Sequence, residues 1–478
     1  MIYLTISLII LIGTIIINCT NSVEICPILL EFSLINIVVY CIKDLQNRIV
    51  LLFFTIAFFV LLASRLVISR YFDVSSFIYQ TKDELFGNLL IDVYSQLIVA
   101  INFVFIFYFI FSWRNQAFCS YSFDSDGVKA IRNCSKKLVY FCFLFSVFAI
   151  YKRIYGVLNG GYLALYMDAE DLDIPFYVSL FAGKFELCSC LFFATMPSKK
   201  ECKVPLTLYI LNAILSLFTG VRGNFVIPAM FVILYLYLRN YIPNRNDIWL
   251  PGRVMLIGFV LTPLFFVLMY MVMNLRGGND TESGSIMNLF LGSVYQLGSS
   301  VQVIHDTIYY HDDLIKQNFY SLEPLIDFIV HNPFTDWFLD IPRYEPQSVD
   351  MAVHGRSLGS SVTYLSETER YLMGGSMGSS YVAESWIDFG YWGIIFYSSI
   401  YGIVLGSVIR FCRKNFFCAF LALYSMMQII YAPRALTTAF ISRFIEVKAW
   451  PFLLLVYISY RISTKRSQHK RFTCNLNL

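Results

Sequence analysis

Charge is scarce in this chain, and charge is what a soluble domain carries on its surface. Of 478 residues only 14% are charged, whereas 58% are hydrophobic and 18% are aromatic. A helix crosses a bilayer with about 20 apolar residues, and such runs recur along the sequence. The composition excludes a soluble globular protein and predicts an all-α integral membrane protein.

Further absences exclude other classes. None of the 12 cysteines lies in the long polar segment from Arg276 to Glu384. A disulfide framework there is excluded, and no paired-cysteine metal site is visible. No basic residue precedes the first apolar run and no cleavage site follows it, which predicts a retained helix rather than a signal peptide. No internal repeat is visible, which argues against a transporter built from duplicated halves.

Apolar runs predict twelve membrane-spanning helices. Their predicted bounds are Ile2–Cys19, Cys26–Ile42, Ile49–Ser69, Leu90–Ser112, Leu138–Leu158, Pro175–Met196, Pro205–Gly220, Phe225–Arg239, Val254–Asn274, Ser385–Ile409, Phe417–Tyr431 and Phe440–Tyr460. Three segments follow: helices 1–9 in residues 1–274, a large loop in residues 275–384, and helices 10–12 with a basic tail in residues 385–478.

The charges between the spans predict the orientation. Lys and Arg beside a helix end resist translocation, and alternate connections are basic. Both termini are therefore expected in the cytoplasm and the large loop outside, between helices 9 and 10. Lys152 and Arg153, near the outer end of the fifth span, depart from this rule.

Four ionisable residues inside the spans need partners, because a charge in the bilayer costs roughly 2.5–3.5 kcal/mol. Glu31 and Arg65 lie at similar depth, so we expect them to pair, either structurally or around an outward-facing polar cavity. Lys184 and Glu186 are two residues apart on a helix. They point to different faces and require separate partners.

Two arginines lie in glycine-flanked turns at the predicted outer face. Arg222 lies in G-V-R-G-N at 220–224, and Arg276 in N-L-R-G-G at 274–278. A guanidinium has a planar fork that matches phosphate oxygens, and glycine allows other groups to approach the backbone. The turns predict a diphosphate site, although an arginine snorkelling at a helix end has the same pattern.

The large loop carries five Lys and Arg against fourteen Asp and Glu, which disfavours nucleic acid as a partner. At 354–359 it contains H-G-R-S-L-G, where His354 and Arg356 share a glycine-flanked turn. An imidazole is the usual group for proton transfer near neutral pH, although a structural role fits as well. The acidic segment 168–173 suits a divalent cation or, more simply, a solvated turn; no metal or cofactor site is predicted.

A glycine- and serine-rich run at 374–380 precedes Glu384, and F-G-Y-W-G follows at 389–393. This pattern resembles the re-entry segment of Wzy-type O-antigen polymerases, as does the arrangement of many helices with a large outer loop late in the chain. The arginine-x10-glycine pattern of some members is not met, since Met287 lies eleven residues after Arg276 and Ile233 eleven after Arg222.

The resemblance implies a multi-pass inner-membrane glycosyltransferase with a GT-C-like bundle. Such an enzyme joins oligosaccharide repeat units carried on undecaprenyl diphosphate at the periplasmic face, in the company of a flippase and a chain-length regulator. The leaving diphosphate needs cations, and the acceptor hydroxyl needs a proton acceptor. The candidate diphosphate-binding residues are Arg222, Arg276, Arg356, Arg434 and Arg443; the candidate catalytic residues are Glu384, His354 and Arg276.

Other functions fit part of the pattern. A flippase or other transporter of lipid-linked oligosaccharide also has about twelve helices, but a large outer loop has no obvious use in alternating access. An O-antigen ligase needs similar arginines and a histidine and differs in its acceptor. A sensory membrane protein is a third alternative, although no inner soluble domain is present to carry a signal.

Overall fold

A computed structural model shows helices in every regular element that it describes. The described residues are 1–20, 22–72, 89–112, 123–160, 174–219, 223–242, 248–253, 286–314, 319–331, 335–338 and 342–476. No β-strand occurs in these ranges. The prediction of an all-α fold is confirmed for this part of the chain.

Among the described residues, eight helices are long and apolar enough to cross a membrane. They are Ile2–Thr20, Ile25–Ile42, Leu45–Tyr71, Leu90–Ser112, Asp126–Asn159, Phe176–Ala194, Tyr381–Lys414 and Phe416–Arg434. Each overlaps a predicted span. The chain is therefore a multi-pass membrane protein.

The other four predicted spans have different outcomes. Pro205–Gly220 overlaps the helix Lys199–Leu217, and Phe225–Arg239 overlaps the shorter apolar helix Gly223–Arg239. Val254–Asn274 lies outside the described residues. The count of twelve, the orientation and the three-segment division stay predictions.

The last predicted span, Phe440–Tyr460, is not one helix. Ala439–Ile445 ends before Glu446, a 3-10 turn occupies Val447–Ala449, and Trp450–Leu476 begins after it. Hydropathy does not detect this break, because it averages over the polar residues Glu446 and Lys448. The interruption places those two side chains beside other charges, described below.

The chain divides into two compact units. The first comprises Met1–Trp113, Leu250–Gly406 and Gln428–Ala439. Asn36 Nδ2 donates to Ser7 Oγ at 3.1 Å, and Asn102 Nδ2 donates to Ser33 Oγ at 2.8 Å. Such bonds hold apolar helices together. The unit's shorter described helices are Ile286–Leu297, Ser300–Tyr309, Glu323–Val330, Thr335–Phe338, Val349–His354, Leu358–Ser366 and Thr368–Leu372.

The expected pairing of Glu31 with Arg65 is wrong. Glu31 Oε1 lies 3.4 Å from Arg70 Nη1, and Glu31 Oε2 accepts a hydrogen bond from the Tyr71 hydroxyl at 2.9 Å. The Arg65 guanidinium lies 4.7 Å from the ring centroid of Tyr295. A π-helical turn at Phe59–Ala63 precedes Arg65, Arg70 and Tyr71 on their helix. Such a turn changes the helix face on which the following side chains lie, and regular helical spacing does not anticipate this change.

The second unit comprises Arg114–Trp249, Ser407–Met427 and Phe440–Leu478. Two buried arginines bind carbonyl groups at helix ends: Arg239 donates to the Pro197 oxygen at 2.6 Å, and Arg132 donates to the Thr195 oxygen at 2.9 Å. The guanidinium fork satisfies carbonyls that a helix end leaves unpaired. The helices that lie wholly or mostly in this unit are Asp126–Gly160, Phe176–Gly183, Phe185–Ala194, Lys199–Leu217, Gly223–Arg239, Phe416–Tyr431, Ala439–Ile445 and Trp450–Leu476.

Candidate functional site

The glycines of the 374–393 segment set its backbone. Gly378 has φ +80°, and a Cβ added to Gly359 would lie 2.6 Å from the Gly378 carbonyl oxygen, so the run packs against helix Leu358–Ser366 at backbone distance. Gly390 has φ 61° and ψ −150°, a conformation essentially restricted to glycine. The kink at Gly390 makes the nine residues from Tyr381 to Phe389 a separate helical segment.

Glu384 lies on that segment and is fully buried. Its Oε1 accepts from Ser379 Oγ at 2.5 Å, and its Oε2 accepts from both the backbone N–H and the hydroxyl of Thr437, each at 2.7 Å. Three donors thus surround the carboxylate. Thr437 belongs to the connection 432–439, so Glu384 anchors that connection to the kinked segment.

Asp388, one helical turn after Glu384, anchors a different part of the first unit. Its Oδ1 accepts from the Tyr320 N–H at 3.0 Å, and its Oδ2 accepts from the N–H and hydroxyl of Ser321 at 2.7 and 2.6 Å. The Thr438 hydroxyl also donates to the Ser321 carbonyl at 3.1 Å. The two carboxylates and residues 320–321 and 437–438 form one hydrogen-bonded assembly.

Glu323 is a third carboxyl group beside this assembly. It is 9% exposed, and its Oε2 has no hydrogen-bond partner among the described residues. Burial, and then the negative charges of Glu384 and Asp327, raise the pKa of Glu323 to about 8, against a smaller opposing effect of Arg356. This carboxyl group holds its proton at neutral pH.

The two candidates of the H-G-R turn have unequal surroundings. His354 is exposed, with its ring 6.0 Å from that of Tyr344. Arg356 Nη1 lies 3.6 Å from Asp327 Oδ1, and both side chains are partly exposed. His354 is therefore accessible to a ligand, whereas Arg356 already has a carboxylate partner.

The remaining arginine candidates of the first unit differ in how far they are described. Arg434 closes the 3-10 turn Ala432–Arg434, and its side chain makes no hydrogen bond or ion pair with any described residue. Arg276 lies outside the described residues. Arg222, whose position falls in the second unit, lies outside them as well.

In the second unit, the helix break at Lys184 separates two neighbouring charges. Lys184 Nζ lies 2.5 Å from Glu446 Oε2, and Arg443 Nη1 donates to Glu186 Oε2 at 2.9 Å. The prediction that Lys184 and Glu186 require separate partners is confirmed. Both partners come from the interrupted segment after residue 439, so the two ion pairs hold it against the break.

A cavity of about 330 Å³ lies among these charges. Three cations and two anions line it: Lys184, Arg443, Lys448, Glu186 and Glu446. The Arg443 guanidinium also lies 5.9 Å from the centroid of the Tyr424 ring, which lines the same cavity. The cavity is cationic on balance and holds arginine in a fixed orientation, which suits an anionic group with several oxygens.

Of the residues in these sites, the sequence pointed to five: Glu384, His354, Arg356, Arg434 and Arg443. It did not point to Asp388, Glu323 or Lys448. Asp388 could be found from the sequence, because it lies four residues after Glu384 and residues i and i+4 share a helix face. Glu323 precedes Pro324 at a helix start, where acids are common and usually solvated, so its burial has no sequence signal.

Comparison with known proteins identifies one family along almost the whole chain. The family model described as O-antigen polysaccharide polymerase Wzy matches residues 1–467. No curated protein and no solved structure matches the chain. Because the family model covers nearly the whole length, the chain belongs to the Wzy family of O-antigen polysaccharide polymerases.

Proposed function

We propose that this protein polymerises oligosaccharide repeat units carried on undecaprenyl diphosphate, by glycosyl transfer at the periplasmic face of the bacterial inner membrane. The family match supports polymerisation as the reaction class. The observation that carries the proposal further is the 330 Å³ cavity with Lys184, Arg443 and Lys448 in its wall. A lipid-linked donor supplies the diphosphate that such a cavity would bind.

The reaction needs no nucleotide, because the donor carries its own leaving group. The acceptor hydroxyl oxygen attacks the anomeric carbon of the donor sugar, and the bond from that carbon to the diphosphate oxygen breaks. The hydroxyl proton passes to a base, and undecaprenyl diphosphate leaves with the electron pair. Arg443, with Lys448 and Lys184, would stabilise the negative charge that develops on the departing diphosphate.

The geometry supports different roles for the two candidate proton acceptors. The Glu384 carboxylate is fully buried and accepts three hydrogen bonds, so its surroundings favour positioning the connection that carries Arg434. His354 is exposed and is the better candidate for proton acceptance. Arg222, Arg276 and Arg356 stay candidates for contact with the diphosphate or the glycan.

The proposal is tested with purified protein in lipid vesicles. The native lipid-linked repeat unit is supplied without nucleotide or divalent metal, and the products are separated on a ladder gel. Wild type should produce a ladder, and Arg443→Ala should slow it roughly 10²- to 10³-fold, the loss typical of one transition-state donor. Arg370→Ala is the matched control, because its side chain is 57% exposed and pairs only with nearby Glu367 among the described residues.

Two results would contradict the proposal. If wild type makes no ladder while labelled lipid-linked oligosaccharide crosses the bilayer, the protein is a transporter. If the glycan moves instead onto added lipid A core, the protein is a ligase. Further partners, a flippase and a chain-length regulator of the same pathway, belong to the same proposal and are tested by copurification.

A further inference from the structure

A second cavity, of about 230 Å³, adjoins the charged one in the second unit. Gly183, Glu186 and Arg443 line both cavities. A ligand held at Arg443 in the larger cavity therefore has the smaller one directly beside it.

The two cavities differ in chemistry. Apart from the shared ion pair, the larger is lined by charged Lys184, Glu446 and Lys448. The polar lining of the smaller adds one cation, Arg153, and is otherwise uncharged: Ser146, Tyr209, Asn212, Ser216 and Asn224. Amides and hydroxyls both donate and accept hydrogen bonds, as a sugar hydroxyl requires, whereas lysines only donate.

Asn212 is held in a defined orientation. The Ser146 hydroxyl donates to Asn212 Oδ1 at 2.6 Å, which leaves the Nδ2 donors directed elsewhere. Ser146 is the one hydrogen-bond partner of the Asn212 side chain among the described residues. Asn212 is half-buried in the cavity wall, so its amide donors are available to a ligand.

Arg153 is one of the two cations that depart from the charge rule of the predicted orientation, and it lines this cavity. An arginine retained where positive charge opposes the expected orientation is explained by use in a site. Gly223 and Asn224, the two residues that follow Arg222 in the chain, also line the cavity.

We infer that the smaller cavity binds the sugar attached directly to the diphosphate of the lipid carrier, with Asn212 as a hydrogen-bonding contact. This inference rests on the proposed function, since it assigns the larger cavity to the diphosphate. It adds a division of the substrate between two cavities that share Arg443. The diphosphate of the carrier is held by cations in the larger cavity, and the first sugar is held by mostly uncharged polar groups in the smaller one.

The test measures binding of two lipids to the full-length protein in detergent: bare undecaprenyl diphosphate and the native lipid-linked repeat unit. Asn212→Ala should weaken binding of the repeat unit about three- to tenfold, the effect of one neutral hydrogen bond, and change binding of the bare lipid less than about twofold. Ser146→Ala, which releases the orientation of Asn212, should have a smaller effect in the same direction. Thr207→Ala, an exposed position on the same helix, is the matched control.

Binding of the bare lipid also reports whether each variant is folded. If Asn212→Ala and Ser146→Ala leave the preference for the repeat unit unchanged, or weaken both lipids equally, the sugar assignment is refuted and the diphosphate cavity stands. If wild type binds neither lipid, the proposed function fails together with this inference.

Discussion

The buried carboxyl group of Glu323 should make the folded protein lose stability as the pH rises. Its pKa is about 8 in the folded state, against 4.5 as the ordinary value. Between these values the folded protein binds a proton that the unfolded chain has released. The stabilising effect of the protonated group is therefore fully present below about pH 4.5 and is lost as the pH rises through 8.

The size of the effect follows from a difference of one bound proton between the folded and unfolded states, which changes the free energy of unfolding by about 1.36 kcal/mol per pH unit. Between pH 6 and pH 9 the wild type should lose roughly 2 to 3 kcal/mol from this group, allowing for the taper above pH 8. The side chain is 9% exposed, so solvent screening reduces the figure little. Glu323→Gln removes the ionisation and retains the shape of the side chain.

The assay is the thermal unfolding midpoint in detergent at pH 6, 7, 8 and 9. We expect the midpoint of wild type to fall relative to that of Glu323→Gln, with the gap widening by a few degrees across the range. Glu369→Gln is the control, because Glu369 is exposed in the same loop. Parallel curves for wild type and Glu323→Gln would refute the reasoning that burial beside Glu384 and Asp327 holds the proton.

Three further outcomes are expected. Arg443→Lys retains the charge but not the planar fork of the guanidinium. Its polymerisation rate in the ladder assay should lie between that of wild type and that of Arg443→Ala, which is expected to be roughly 10²-fold or more slower than wild type. A rate equal to that of wild type would contradict oriented binding of the diphosphate by Arg443. Thr437→Val removes one donor to the buried Glu384 carboxylate and should lower the unfolding free energy by about 1–3 kcal/mol, whereas Thr437→Ser should not. Gly390→Ala places a side chain on a backbone conformation that only glycine readily adopts, so it should lower the free energy of thermal unfolding by about 1–3 kcal/mol. Gly252→Ala, at a position with open space around it, is the control and should leave that free energy unchanged.

The roles of His354 and Glu384 separate when polymerisation and unfolding are measured on the same variants. His354→Ala should lower the initial rate of ladder formation and leave the thermal unfolding midpoint unchanged, because the side chain is exposed. Glu384→Gln should lower the midpoint, because the buried carboxylate accepts three hydrogen bonds. An unchanged rate in His354→Ala would remove this residue as the proton acceptor.

Sequence alone predicted the helical class and the position of each of the eight membrane-crossing helices, because both follow from local apolar runs. The resemblance to a family pattern pointed to the 374–393 segment, and the positive φ of Gly378 and Gly390 explains why glycine occupies those two positions. Separate partners for Lys184 and Glu186 followed from helix geometry. All of these depend on residues close together in the chain.

Only the tertiary structure decided which residues meet. Glu31 pairs with Arg70 and not Arg65, whose guanidinium lies against the Tyr295 ring from a distant part of the chain. Arg443 reaches Glu186 across 257 positions, and Glu323 is buried by elements far from it in sequence. Hydropathy and residue spacing predict the position of a single helix and the face on which each of its side chains lies. Partners, cavities and buried protons depend on which helices become neighbours, and long-range packing determines that.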